Sequence, residues 1–328
     1  MEPASLQSGE NVRIGVLINP LSGKNRQEST SISQIINEHP EVLQQKVQTP
    51  DDVLGALVDF GRRHVNLLVI SGGDGTVQAV LTVLLEIKPF VTQPQLIVLA
   101  GGTTNMIAGD AGVPGNQEKA LRRLLQLGQN SVGSGTRIQR PILRLKVPGH
   151  DVKHGMFFGA AGISQGIQYY QRNLHNGSMG GFPGIFITLV RSLWVIVFQH
   201  RRCVVSARIT VRLNGQPPQT EDFMLMFVST MDQLFLGLRP FWGRGGGPLL
   251  FTAVRARARF LLQLLPFLAR GRKRGKATEE NGYYSNNVDQ VELYTGESIA
   301  LDGEIYTPKS SDEPILLQCG GHVTFIRL

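Results

Sequence analysis

Residues 67–79 read LLVISGGDGTVQA, and Gly72-Gly73-Asp74-Gly75-Thr76 at their centre restrict the fold more than any other stretch. A short apolar run ends in two glycines, a carboxylate, a third glycine and a hydroxyl, and Val77, Val80, Leu81 and Leu84 then recur at helical spacing. The pattern predicts a strand, a tight turn and a helix N-terminus. Glycines let backbone N–H groups approach a ligand closely, and a helix start adds partial positive charge. The arrangement suits phosphate. Asp74 would repel a phosphate unless a cation or a transferable proton lay between them, so the motif points to chemistry at a phosphate, with Mg²⁺ a fitting companion. Taken alone, it is also compatible with a glycine-rich turn in an unrelated α/β protein.

The flanking sequence repeats the theme. Val12 to Ile18 reads as a buried strand followed at once by Asn19-Pro20-Leu21-Ser22-Gly23-Lys24, which offers a hydroxyl, bare backbone and an ammonium to an anion. This is not a Walker A loop, because the G-x-x-x-x-G-K-[ST] spacing is absent. Ser29 to Ile36 reads as helix, Lys46 to Thr49 as a second strand, and Asp51 and Asp52 as the opening of a helix to about Arg62, since acids favour a first turn. Leu96 to Leu99 is a further strand, ending in Ala100-Gly101-Gly102-Thr103-Thr104-Asn105. Helices are expected from Met106 and from Gln117 to Leu127. Strands alternating with helices predict a parallel sheet with ligands at the carboxyl ends of its strands. NPLSGK, SGGDGT and GGTTN would then converge on one crevice.

After about Arg137 the texture changes. Pro141–Val147, Lys153–Gly159, Cys203–Leu213, Phe223–Thr230, Leu249–Val254, Gln290–Leu293 and Ser298–Leu301 read as strands, with Asn214-Gly215 a hairpin signal. The apolar stretch Phe182–Phe198 carries Arg191 and is marginal in length for a bilayer, so a buried or cleft-lining helix is expected. The expected organisation is an α/β domain over residues 1–138 and a β-rich domain over 139–328, with the C-terminal segment returning to the first.

Composition excludes some classes. With 41% hydrophobic residues the chain can build substantial cores, so wholesale disorder is not expected. Cys203 and Cys319 are the only cysteines, too few for a disulfide framework or a cysteine zinc site, and the histidines show no metal spacing. The N-terminal residues lack a basic segment followed by an apolar core, so no secretory signal is read there. Eight of the 33 basic residues fall between Val254 and Lys276 with no acid among them, and the remaining 25 match the 25 acids. The formal charge of +8 therefore resides in one segment, which disfavours a broad nucleic-acid surface.

Asp302 and Glu304 stand two apart in Leu301-Asp302-Gly303-Glu304. On a continuing strand both would face one side, and the same residues also read as a solvated hairpin turn. Together with this tetrapeptide, NPLSGK, SGGDGT and GGTTN resemble the diacylglycerol kinase catalytic-domain family, which includes soluble bacterial lipid kinases and the sphingosine and ceramide kinases. The order of motifs agrees from about Val12 to Arg327. GGDGT alone also occurs in NAD kinases and, in similar form, in phosphofructokinases, but the early NPxSGK and the late DGE make the lipid-kinase branch the better match.

The resemblance implies an α/β nucleotide-binding domain of the NAD kinase/diacylglycerol kinase type, with a parallel sheet, plus a mainly β second domain that takes the lipid. It implies ATP binding by Asn19, Pro20, Ser22, Gly23 and Lys24, by Thr49, by Gly72, Gly73, Asp74, Gly75 and Thr76, and by Thr103 and Asn105. Asp302 and Glu304 match the carboxylates assigned to catalysis, with Asp74 placing phosphate and Mg²⁺. The implied activity is transfer of the ATP γ-phosphate to a hydroxyl of diacylglycerol or a related lipid. An NAD kinase-like enzyme and a catalytically weakened nucleotide-binding protein are the alternatives. Two departures stand out: Met106 follows Asn105 where an aspartate is usual, and Gly245–Leu249 lacks the acid that holds a second, structural Mg²⁺ in bacterial members. No second metal is expected there.

Residues 254–276, VRARARFLLQLLPFLARGRKRGK, are apolar in the middle and cationic at both ends, and Pro266 is expected to break the helix. The tract suits an anionic membrane surface, and the alternative is a core helix with solvated flanks. A cytoplasmic protein, peripheral to a membrane, follows as the expectation.

Overall fold

A computed structural model describes residues 12–127, 135–174 and 206–328, so the apolar stretch 182–198 lies outside the described residues. The chain divides into two compact units, Met1–Gln139 with Val323–Leu328, and Arg140–His322.

In the first unit, β1 (Ile14–Ile18), β2 (Leu43–Lys46), β3 (Leu67–Gly72) and β4 (Gln95–Ala100) pair in parallel in the order β2-β1-β3-β4. Phe325, near the end of the chain, pairs with Leu96 on the outer side of β4. Every residue of β3 and β4 is buried, as expected of a parallel sheet covered on both faces. Alternate side chains Val16, Ile18, Leu67, Val69, Ile97 and Leu99 form one core with α1 (Asn25–Asn37) and with Leu121 and Leu124 from the helix Gln117–Leu127. On the opposite side α2 (Pro50–Arg62) brings Phe60 against β1, where a Cβ at Gly15 would lie 3.0 Å from the ring. Next to α2 packs α3 (Asp74–Thr82), which continues into a π-turn at Val83–Ile87.

One expectation shifts here. The second strand is Leu43–Lys46, earlier than Lys46–Thr49, because Thr49 leaves the sheet to cap α2. Its hydroxyl accepts from Asp52 N–H, and the Asp52 carboxylate accepts from Thr49 N–H, a reciprocal capping box. The helix from Met106 is one short element, α4 (Met106–Asp110), followed by α5 (Gln117–Leu127).

The second unit is antiparallel where its strands pair. Its strands are β5 (Thr136–Lys146), which starts in the first unit, β6 (Lys153–Gly155), β7 (Phe157–Ala161), β8 (Ala207–Leu213) and β9 (Gln219–Ser229). They continue with β10 (Leu249–Arg255), β11 (Tyr283–Val288), β12 (Gln290–Tyr294), β13 (Ile299–Leu301), β14 (Glu304–Tyr306) and β15 (Ile315–Arg327), whose end from Val323 belongs to the first unit. The long β9 pairs with β8 through its first half and with β7 and β10 through its second, so both halves share the core around Phe158, Phe223, Met226, Val228 and Phe251. Asn214 and Gly215 have φ of 48° and 70°, and Gln216 N–H reaches Leu213 O at 2.9 Å, the hairpin read from the Asn-Gly pair. The expected single strand Lys153–Gly159 is two, β6 and β7. The helix α6 (Gly162–Leu174) follows β7.

Pro266 does not break the apolar helix. It sits inside α7 (Leu261–Leu268), and the Leu262 carbonyl that loses its donor belongs to a residue 55% exposed, where solvent can replace it. Among the described residues no helix is long and apolar enough to cross a membrane.

Candidate functional site

In the first unit the turns after β1, β3 and β4 lock together. Asn19 N–H donates to Ser71 O at 2.9 Å, its side-chain amide donates to Thr76 Oγ1 at 2.9 Å, and Gly73 N–H donates to Ser22 Oγ at 3.1 Å. Lys24 N–H reaches Gly101 O at 3.0 Å, joining the first turn to the third. Glycines set the spacing. A Cβ on Gly101 would lie 2.8 Å from Gly72 N, one on Gly102 would run into Gly73 Cα, and one on Gly23 would lie 2.5 Å from Thr103 Oγ1. Side chains at these positions would push the turns apart. Backbone therefore packs on backbone where Gly72-Gly73 meets Gly101-Gly102, and the N-terminus of α3 beside it suits an anion.

Beneath the turns lies a buried polar knot that the motifs do not announce. Asn25, fully buried, donates through Nδ2 to Asn19 O and Ser71 O, both at 2.9 Å, and accepts from Gln117 Nε2 at 2.9 Å. Ser71 Oγ donates to Gln117 Oε1 at 2.8 Å. Asn25 opens α1 and Gln117 opens α5, so two helix starts are tied to the ends of β1 and β3. The only signal in the sequence is Asn25's place directly after NPLSGK; Gln117 carries none.

Asp74 is 9% exposed, and its carboxylate accepts from Met106 N–H and Ile107 N–H, both at 3.1 Å. It thus fills the capping role at the start of α4. Burial pushes its pKa up from the ordinary 3.8, while the two N–H donors pull it down. Asn105, at φ 51°, closes the third turn on itself: its Oδ1 accepts from Gly102 N–H at 2.7 Å and its Nδ2 donates to Gly102 O at 2.8 Å. Met106, where the resemblance calls for an aspartate, supplies its backbone N–H to Asp74.

The structure thus brings together Asn19, Ser22, Gly23, Gly72, Gly73, Asp74, Thr76, Thr103 and Asn105, with Pro20, Lys24 and Gly75 in the same turns. Thr49, exposed at the α2 cap, makes its hydrogen bonds with Asp52.

In the second unit Asp302 and Glu304 do not share a strand face. Leu301 pairs with Glu304 across the two-residue turn Asp302-Gly303, whose φ values of 48° and 93° fit a tight hairpin. The turn is the bland alternative read from the sequence, but it is not solvated at Asp302, which is 5% exposed. Its carboxylate accepts from Phe157 N–H at 2.9 Å and Met156 N–H at 3.1 Å, while its own N–H donates to Phe157 O at 2.9 Å. Gly155 makes room, since a Cβ there would meet Asp302 Oδ2. Glu304 is exposed.

Among the described residues, no three His, Cys, Asp or Glu side chains gather as a metal cage would require. A Mg²⁺ that enters already bound by phosphate oxygens needs no such cage, and one nearby carboxylate is enough. Asp74 is the carboxylate nearest that description, buried beside the turns with its two oxygens held by the Met106 and Ile107 N–H groups.

Residues 13–136 match the family model of the diacylglycerol kinase catalytic domain. Over 66 residues the chain is 42% identical to the proteins named probable lipid kinase YegS of Salmonella arizonae and Salmonella heidelberg. That match takes in 20% of this chain and spans 22% of those relatives' length. A crystal structure of a diacylglycerol kinase from Bacillus anthracis str. Sterne superposes with a TM-score of 0.58 at 17% identity, covering 97% of each chain. A second crystal structure from the same strain gives a TM-score of 0.62, also at 17% identity, covering 97% of this chain and 98% of the other. At such identity the likeness establishes the fold, an α/β unit with a parallel sheet followed by a mainly β unit.

Proposed function

We propose, from the match of residues 13–136 to the diacylglycerol kinase catalytic domain, that the protein is an ATP-dependent lipid kinase. The observation that supports the reading is the interlock of the three turns beside the N-terminus of α3, where Gly72-Gly73 packs on Gly101-Gly102 too closely for a side chain. The β- and γ-phosphates of ATP are its proposed occupants, held by the turn 72–76 and the start of α3, with Ser22 and Thr76 hydroxyls at the rim. Asp74 is the proposed protein ligand of a Mg²⁺ that would offset the charge on the phosphate oxygens.

Asp302 is the proposed base. The Met156 and Phe157 N–H groups fix its carboxylate in one orientation, suited to accepting the proton of an attacking lipid hydroxyl. Exposed Glu304 is assigned a supporting role. Diacylglycerol, or a lipid with a comparable free hydroxyl, is the proposed acceptor.

The test is transfer of label from γ-labelled ATP with Mg²⁺ into mixed micelles of several hydroxyl-bearing lipids, with NAD as a parallel acceptor. Label in a lipid is expected. Label in NAD alone, or in no acceptor while ATP still binds, refutes the reading.

A further inference from the structure

The tract that carries the net charge of the chain folds back on itself. Its two cationic ends, apart in sequence, meet on one surface of the second unit: Lys276 Nζ lies 4.4 Å from the centre of the Phe260 ring, and Arg274 Cζ lies 4.0 Å from that of Phe267. Between them α7 divides its apolar residues. Leu264 and Leu268 are buried on a core with Met224, Val254 and Tyr283, whereas Leu262 is 55% and Phe260 42% exposed. The turn Phe235–Gly237 is tied in by Arg239 N–H to Ala269 O at 2.9 Å and exposes Leu236 to 59%.

The surrounding cations are Arg257 and Arg259 before the helix and Arg270, Arg272, Lys273, Arg274 and Lys276 after it, all exposed. None of them forms an ion pair among the described residues. Seven cations outnumber the nearby acids Glu279 and Glu280, and a face exposed to water gains nothing from large apolar side chains set among such a surplus. At an anionic interface both features are favourable, the cations toward headgroups and the side chains into the acyl boundary.

We propose that this face docks on an anionic phospholipid bilayer, with Leu262 and Phe260 as its inserting side chains. The short helix has its other face already committed to the core, so the element lies on the membrane and does not enter it. Bringing the two basic ends together matters because only charges within about 10 Å of the surface act at moderate salt. Arg274 and Lys276, stacked on Phe267 and Phe260, stay beside the apolar contact. The inference deepens the lipid-kinase reading by naming the surface that reaches the substrate's membrane.

The test is co-sedimentation of the full chain with phosphatidylcholine vesicles, with or without phosphatidylglycerol. Binding is expected only with phosphatidylglycerol and is expected to weaken as salt rises. Leu262→Ser should lower the partition coefficient about tenfold, the size expected for one apolar side chain. Neutralising Arg270, Arg272, Lys273 and Arg274 to Gln should lower it at least about tenfold at low salt. Both changes are at exposed positions, and circular dichroism checks that folding is kept. Binding that is equal on neutral vesicles, or unchanged in both variants, overturns the proposal. Loss of binding to a single-stranded nucleic acid in the variants, with no vesicle binding by the parent, overturns it too. Vesicle binding is scored without turnover, so a failed kinase assay leaves this result standing. Conversely, transfer to a short-chain, monomeric lipid acceptor tests the kinase reading without a membrane.

Discussion

Asn25→Ala tests whether a residue beneath the turns, touching no proposed ligand, sets the geometry of the nucleotide site. The parent amide makes two hydrogen bonds to backbone carbonyls, those of Asn19 and Ser71, and accepts one from Gln117. No partner is stranded by its loss: Ser71 O keeps Asn19 N–H, Asn19 O keeps Ser22 N–H at 3.3 Å, and Gln117 Nε2 keeps Glu28 Oε2 at 3.0 Å. Nδ2 also lies 3.1 Å from Ser71 Oγ, which shares one of its two protons, so at about 1 kcal/mol for each of two donated protons and one accepted bond the cost is about 3 kcal/mol in all. At about 3 °C per kcal/mol for a domain near this size, the first unit should melt about 10 °C lower. Asn25→Asp should cost more, because a buried carboxylate oxygen would then face two carbonyls. Scanning calorimetry reads the melting, and the KM for ATP should rise severalfold as the turns lose their anchor. Exposed Gln34→Ala on the same helix is the control, with an effect within about 0.5 kcal/mol. If Asn25→Ala melts with the control and keeps the parent KM, the knot does not hold the turns and the reasoning fails.

Other outcomes follow from the same geometry. Gly102→Ala should separate the second and third turns and weaken ATP binding at least about tenfold by calorimetric titration, given a new Cβ against Gly73 Cα. Gly109→Ala, which meets nothing within 4 Å, should leave binding intact and stabilise α4 by about 0.5–1 kcal/mol. Asp74 has its folded pKa raised by burial, so the stability it contributes is fully present below 3.8 and is lost as pH rises through the folded value. The stability of the parent minus that of Asp74→Asn, from urea unfolding, should therefore fall as pH rises from about 4; a difference that rises instead contradicts burial as the dominant cause. Asp302→Asn should cut turnover about a hundredfold or more, with exposed Glu304→Gln losing less; equal full activity in both would remove the carboxylates from the mechanism.

The first unit was legible because its strands are continuous apolar runs ending in glycine turns. Leu67–Gly72 and Gln95–Ala100 are buried along their whole length, and burial on both faces leaves few other placements for such sequences. The second unit hid three strands, the short Glu304–Tyr306 after the Asp302-Gly303 turn and two longer ones. Tyr283–Val288, YYSNNV, has strand formers only at its ends, with Ser285, Asn286 and Asn287 between them, and forms through pairing with β10 from Leu249–Val288 to Val254–Tyr283. Ile315–Arg327 carries Gly320 and Gly321 in its middle. Gly320 is there because the His154 ring packs on it, with Nε2 2.5 Å from where a Cβ would lie, a tertiary reason with no local trace. The same limit applies at the site. The glycines and hydroxyls announce the turns, but Asn25 and Gln117 act through partners far away in sequence. The Asp-Gly pair announces the hairpin, whereas the burial of Asp302 depends on Gly155.

Amide hydrogen exchange with and without Mg·ATP tests most directly whether the three turns of the first unit hold the nucleotide. Slowed exchange is predicted over residues 19–25, 71–78 and 101–107 together, and it should be lost in Gly102→Ala. No change in these segments at saturating nucleotide, or protection confined to other parts of the chain, would contradict the account.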